Sequence, residues 1–228
     1  MREEEWLDYP NPEKHCADPE AMLNCFRDTP SERKLRLLAF ASCSLVYDRL
    51  RYSQSRKAIE VLGRYAEGMA SSEDLATAAE GAWAAAGTWG SGPLFPHFED
   101  DERTFLEESS LHEAIAWVVT GADHTRSILD NVTNALVRMN TDWESCRHIR
   151  CIFGNPFRTM SIDPRWLSST VTALAEGIYQ ERAFDRMPIL ADALEEAGCD
   201  NKDILNHCRE LDEHVRGCWV VDLLTGRK

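Results

Sequence analysis

Apolar residues recur at helical spacing through nearly the whole chain of 228 residues. The clearest stretch fills positions i, i+3, i+4, i+7 and i+8, the pattern of one buried helix face. Its members are Val171, Leu174, Ala175, Ile178 and Tyr179. The run at 219–221 would suit a strand, but no partner strand is evident for it. The sequence therefore predicts an all-α fold, a compact array of short antiparallel helices with short connections.

Capping signals and helix breakers indicate where several of these helices begin and end. Residues 29–32 predict a helix start with Thr29 as the N-cap, and residues 71–74 predict another. Ser110 and Glu113 fit a capping box at the start of a further helix. The breaker at 154–156, Gly-Asn-Pro, predicts a helix end.

Residues 87–103 interrupt the helical pattern, with five Gly or Pro in their first ten positions. Such a composition predicts a loop or linker. The chain then consists of an N-terminal helical subdomain at 1–87, a loop at 88–108 and a C-terminal helical subdomain at 109–228. The alternative is one continuous domain. Trp89 lies on this loop and is a candidate for contact with a partner, because Trp is enriched at interfaces.

The formal net charge of -14 restricts the partners that the chain can have. Nucleic acid and anionic membrane surfaces both require clustered Lys and Arg, so neither is expected as a direct partner. A protein with a basic surface fits the charge better, although acidity also serves solubility. The opening residues lack the apolar core of a signal peptide, and no apolar run would span a bilayer. We therefore expect a cytoplasmic protein whose cysteines are mostly reduced.

Four potential metal ligands lie within twelve positions near the C-terminus: His207, Cys208, His214 and Cys218. They offer two nitrogens and two sulfurs, a donor set that tetrahedral zinc accepts, and Cys199 is a substitute for one of them. We expect a last helix over 215–224, and a start early enough would put His214 and Cys218 on one face. The spacing matches no standard zinc finger, however. The alternative is a set of buried thiols and hydrogen-bonded histidines without metal.

Two arginines near the predicted turn at 154–156 are candidates for binding a partner or an anion. Arg158 and Arg165 each carry a guanidinium that can hold a carboxylate or phosphate in bidentate fashion. The alternative is that both pair with the plentiful carboxylates of this acidic chain.

Several blocks of the sequence resemble a heavily paralogous family of planctomycete-type bacteria. The resemblance covers both ends of the chain and leaves 88–145 unmatched. It implies an all-helical fold and carries no mechanism with it. The blocks are Glu4–Leu7, Ser31–Ala41, Ser55–Gly68, Ile152–Arg158, Asp163–Leu167, Ile178–Cys199, Asp203–Cys208 and His214–Leu224.

These observations leave three hypotheses for function. The first is a non-catalytic protein-interaction or regulatory module without a cofactor, since the sequence lacks GxSxG, GxGxxG and P-loop motifs. The second is a zinc-stabilised helical module. The third is an enzyme of unrecognised type that uses the region of Arg158, Arg165 and the Cys/His cluster. Four converging Cys and His side chains would favour the second hypothesis, and a deep pocket lined by the arginines and a histidine would favour the third.

Overall fold

Every regular element that the structure describes is helical. The computed structural model describes residues 1–7, 18–26, 30–91, 102–120, 125–139, 141–210 and 213–227. Within these ranges there are twelve α-helices and no β-strand, which confirms the all-α class. None of these helices combines the length and the apolar composition that a membrane span needs. The helices are α1 (Glu3–Leu7), α2 (Pro19–Leu23), α3 (Glu32–Leu45), α4 (Ser53–Ala66), α5 (Ser72–Ser91), α6 (Glu102–Val119), α7 (Thr125–Met139), α8 (Asp142–Phe153), α9 (Ser169–Glu181), α10 (Met187–Glu196), α11 (Lys202–Arg209) and α12 (Trp219–Thr225).

The capping signals are confirmed at one helix and wrong at two others. At α5 the Ser71 hydroxyl accepts from the Asp74 amide at 3.1 Å, and the Asp74 carboxylate accepts from the Ser71 amide at 2.8 Å. At α3 the N-cap is Ser31 rather than Thr29, because the Ser31 hydroxyl accepts from the Lys34 amide. Thr29 lies outside the described residues. The predicted start at Ser110 is wrong, since α6 already begins at Glu102.

The predicted loop at 87–103 is partly helical. α5 continues through Ser91, and α6 begins at Glu102. Residues 92–101 lie outside the described part of the chain. The chain divides into a C-terminal unit, Met1–Cys16 with Cys146–Lys228, and a central unit, Ala17–Ser145. This division differs from the boundary that we drew at 88–108, because α5 and α6 pack against each other within the central unit.

The central unit contains α2 to α7. Consecutive helices from α3 to α7 pack against one another, and α7 also contacts α2 and α3. α4 buries one face at helical spacing, as the apolar pattern predicts, whereas α3 is buried through most of its length. The largest fully buried side chains here are Met22, Leu23, Leu35, Leu37, Leu38, Leu50, Ile59, Leu62, Ile115, Leu136 and Met139.

The C-terminal unit is built around α9 to α12. α9 packs against α10 and α12, and α11 packs against α10 and α12. The predicted stripe on α9 is largely confirmed, since four of its five members are buried and only Leu174 is half-buried. Three cysteines of α8, α11 and the approach to α12 share this apolar core: Cys151, Cys208 and Cys218. The core therefore brings distant sulfur atoms into one region.

Candidate metal centre

Four buried side chains in the C-terminal unit converge on one point: Cys151, His207, His214 and Cys218. Cys151 comes from the last turn of α8, and His207 comes from α11. His214 and Cys218 come from the segment between α11 and α12, and Cys218 is the N-cap of α12. Each of the four exposes no more than 8% of its surface. The centre is thus enclosed by the core.

The donor atoms are spaced much as zinc requires. All four lie within 4.8 Å of one another. Nε2 of His207 lies 3.3 Å from Sγ of Cys218, and Nδ1 of His214 lies 3.7 Å from Sγ of Cys151. In a tetrahedron with Zn–S of about 2.3 Å and Zn–N of about 2.0–2.1 Å, nitrogen and sulfur are about 3.6 Å apart. Both of these pairs are near that value, so closing the set needs shifts of about 1 Å or less.

The electrostatics of the centre already favour the charged forms of two of its groups. Burial opposes ionisation of the Cys218 thiol, but hydrogen bonding from Cys151 and the charge of His207 hold its pKa well below the usual range. Burial likewise opposes protonation of His207, but the Cys218 thiolate and the Glu210 carboxylate raise the pKa of His207 to about 9. Burial, together with Cys218, raises the pKa of Cys151 well above its usual value. These directions favour a thiolate at Cys218 and a protonated His207 when no metal is bound, and metal binding would release the protons that remain on the donor atoms.

Groups around the four residues orient them. The Glu210 carboxylate lies 3.2 Å from Nδ1 of His207, the nitrogen that does not face Cys218. The Val215 amide donates to Sγ of Cys151 at 3.4 Å. The ring of Trp219 lies against His207, with 5.4 Å between the ring centroids. A carboxylate on the second nitrogen of a histidine is a typical outer partner of a zinc ligand.

The sequence identified three of the four converging residues. His207, His214 and Cys218 are brought together, and Cys151 stands where we expected Cys208. Cys208 is fully buried in the apolar core, where burial raises its pKa. It is the immediate neighbour of His207 on α11, and adjacent helical residues point about 100° apart. Cys199 is buried and is also outside the group of four.

The predicted helix over 215–224 is wrong in its first part. α12 begins at Trp219, and residues 213–218 are not helical. Gly217 has a φ of +92°, which an α-helix does not allow. His214 and Cys218 therefore converge through a turn and not through one helix face.

The two arginine candidates are engaged with carboxylates of their own unit. Arg158 donates to Glu3 and to both carboxylate oxygens of Asp203. Arg165 is bidentate with Asp163, two residues earlier, and its side chain is 85% exposed. These contacts fit the ion-pair alternative. Trp89 belongs to α5, but its side chain lies outside the part that the structure describes.

Comparison with protein-family models, curated proteins and solved structures finds no match to this chain. The resemblance to a planctomycete-type family stays a prediction.

Proposed function

We propose that this chain is a non-catalytic helical module whose C-terminal unit is held together by zinc. The proposal rests on one observation, the convergence of four buried donors: Cys151, His207, His214 and Cys218. Two thiolates and two imidazoles form a closed donor set, which is typical of structural zinc sites rather than catalytic ones. The donors come from α8, α11 and the turn before α12, so one ion would join elements that are far apart in the sequence.

The role of the module would be interaction with a protein in the cytoplasm. Trp83 and Trp117, both in the central unit, are 37% and 43% exposed and pack edge to face, with ring centroids 5.1 Å apart. Nε1 of Trp83 donates to the Thr120 hydroxyl at 2.9 Å, which fixes its ring. Exposed, ordered tryptophans are favourable anchors for a partner. Glu32, Arg36 and Glu80 line the adjacent groove. Because Arg36 pairs with Glu32 at 2.8 Å, the charge that suits a basic partner is that of Glu80.

The test is the zinc content of the full chain after zinc loading and desalting, measured by native mass spectrometry. We expect about one zinc per chain, removed by a strong chelator together with loss of helical content. Cys151→Ser should lose the zinc, whereas Cys208→Ser should keep it. These variants are matched, because both thiols are buried. A bare mass after loading, or zinc loss from Cys208→Ser alone, would contradict the proposal.

A second candidate function is favoured by one specific arrangement. Cys218 lies 3.3 Å from His207, which lies 3.2 Å from Glu210, in the order of nucleophile, base and orienting carboxylate. A cavity of about 440 Å³ borders Glu210 and His214. The candidate is a cysteine-dependent enzyme. Against it stand the burial of Cys218, 1% exposed, and the convergence of a second thiol and a second histidine.

Alkylation separates the two candidates. Protein that has been loaded with zinc and desalted is treated with iodoacetamide at neutral pH, before and after a chelator is added, and the rate of Cys218 modification is followed by peptide mass spectrometry. The enzyme requires modification within minutes, because its nucleophile must meet substrate. The zinc module predicts slow modification in the zinc-loaded protein, and modification about as fast as in the unfolded chain after the chelator removes the zinc.

A further inference from the structure

The first helix of the chain is docked onto the C-terminal unit by its side chains. Trp6 of α1 is only 1% exposed and packs edge to face on Phe157, with ring centroids 6.4 Å apart. The Glu3 carboxylate accepts hydrogen bonds from Nδ2 of Asn155 at 3.1 Å and from Nε of Arg158 at 2.5 Å. The receiving residues lie within four positions of one another in the turn that follows Gly154. We call Asn155, Phe157 and Arg158 the receiving turn.

α1 cannot owe its order to its own helical stability. It has five residues, and isolated helices shorter than about 12–15 residues are marginal in water. The ion pair between Glu3 and Arg158 is roughly 40% exposed on both sides, and such pairs contribute little. The buried Trp6 side chain is therefore the main anchor, since a large aromatic group in a desolvated site dominates such contacts.

The receiving turn is itself held in place from the other side. Nη1 of Arg158 donates to both carboxylate oxygens of Asp203, at 2.7 and 2.8 Å, and Nε of Arg158 donates to Glu3. Asp203 lies in the first turn of α11. The guanidinium is thus already oriented toward a glutamate when α1 arrives, which lowers the entropy cost of docking.

We propose that the receiving turn is a docking site for a short acidic segment with glutamate and tryptophan three residues apart. The occupant in trans is the α1 segment of a second copy of this chain. The segment of a second copy carries the same Glu3 and Trp6 whose fit to the receiving turn is observed within this chain. Residues 8–18 connect α1 to α2. Eleven residues span up to about 36–40 Å when extended, enough covalent length for exchange between copies.

Docking within the chain competes with exchange. A covalently tethered segment has an effective concentration of order millimolar, so the chain's own α1 occupies the site at low protein concentration. The α1 of a second copy binds when the chain's own α1 binds the receiving turn more weakly. This inference stands apart from the zinc site, since no metal ligand belongs to α1 or the receiving turn.

The test mixes two full-length variants. Trp6→Ala leaves the receiving turn intact with a weakened segment, and Phe157→Ala leaves the segment intact with a weakened site. Only the mixture contains an intact segment and an intact site on different chains. By native mass spectrometry at about 50 μM, we expect each variant alone to be a monomer and the mixture to contain a dimer. The dimer should hold one chain of each kind, identified by isotope labelling. A mixture without the mixed dimer, or dimers of Trp6→Ala alone, would overturn the proposal.

A second measurement covers the case in which Trp6→Ala does not fold. Trp6→Leu keeps an apolar side chain at this position but removes the indole ring, and this variant replaces Trp6→Ala as the receiving chain. A fluorescent peptide with the sequence of residues 1–7 is titrated against that chain and against the wild type. We expect at least tenfold tighter binding to Trp6→Leu, because the wild-type site is occupied by its own segment. Equal binding to both, or equal binding of a peptide with Trp6→Ala, would overturn the proposal.

Discussion

The Glu210 carboxylate lies 3.2 Å from Nδ1 of His207, opposite the ring nitrogen that faces Cys218. This contact fixes which nitrogen of His207 is free to bind metal. Glu210→Gln keeps the size of the side chain and removes its charge. We expect the zinc affinity of the chain to fall about 10- to 100-fold, the usual effect of losing an outer-shell partner. Competition with a fluorescent zinc chelator at pH 7 measures it.

Glu213→Gln is the matched control for that variant. Glu213 borders the same cavity as Glu210 but makes no hydrogen bond to the four residues within the described part of the chain. The two substitutions change the net charge equally, so general electrostatics predicts equal effects. An equal loss of affinity in both would mean that Glu210 does not act through His207.

Sequence periodicity predicts this fold well, because helix burial is a local property. On α9 the spacing alone identifies Val171, Ala175 and Ile178 as core, and all three are fully buried. The centre is harder to predict, because Cys151 meets the other three residues only in the folded chain. Cys151 lies more than fifty positions before His207, so no local spacing pattern links it to the other three residues. The signal against a helix through His214 and Cys218 is Gly217, whose φ of +92° forms a turn.

Gly154 is a position where only glycine fits. Its φ is +68°, and an added Cβ would lie 3.1 Å from Cγ of Trp219, whose ring also packs on His207. Gly154→Ala therefore introduces backbone strain and a close contact with a buried ring. We expect a loss of about 1–3 kcal/mol in the free energy of unfolding. Urea denaturation followed by circular dichroism measures it.

Gly177→Ala provides the opposite control. Gly177 lies inside α9, and an added Cβ there meets nothing within 4 Å. Alanine is favoured over glycine in a helix interior by about 0.5–1 kcal/mol, so this variant should be more stable than the wild type. If both variants shift stability in the same direction, the account of Gly154 is wrong.

His112 predicts acid sensitivity in the central unit. Its Nδ1 lies 2.7 Å from the Ser55 hydroxyl, both residues are buried, and burial lowers the pKa of His112 to about 4. In the unfolded chain this histidine takes up a proton near pH 6.5, so the unfolded state binds more protons between pH 6.5 and 4. Stability therefore falls as the pH drops through that window, by at most about 1.4 kcal/mol per pH unit, and levels off below pH 4.

Hydrogen exchange of the α4 and α6 amides at several pH values between 7 and 4 measures this dependence locally. His112→Gln removes the titrating group. The α4 and α6 amides of this variant should therefore lose less protection from exchange with falling pH than those of the wild type. The comparison concerns the slopes, since the substitution also changes stability at neutral pH. Parallel slopes would show that His112 does not titrate in this window.

Glu176 and Arg227 join α9 to the residues that follow α12. Arg227 donates to both Glu176 oxygens, at 2.9 and 2.8 Å, and its guanidinium lies 3.7 Å from the centroid of the Tyr179 ring. Hydrogen bonds from Arg227 and then Gln180 lower the pKa of Glu176 to about 2. A lowered carboxyl pKa stabilises the fold above the unfolded value near 4.5, and this stabilisation is lost as the pH falls toward 2. Because Glu176 is 44% exposed, solvent screening limits this stabilisation to about 1 kcal/mol.

We expect Glu176→Gln to be less stable than the wild type at pH 6 and to approach the stability of the wild type at pH 2. Urea denaturation at each pH measures the difference. Glu196→Gln, at the exposed end of α10, is the control with the same change of net charge, and a similar profile in that control would assign the effect to net charge.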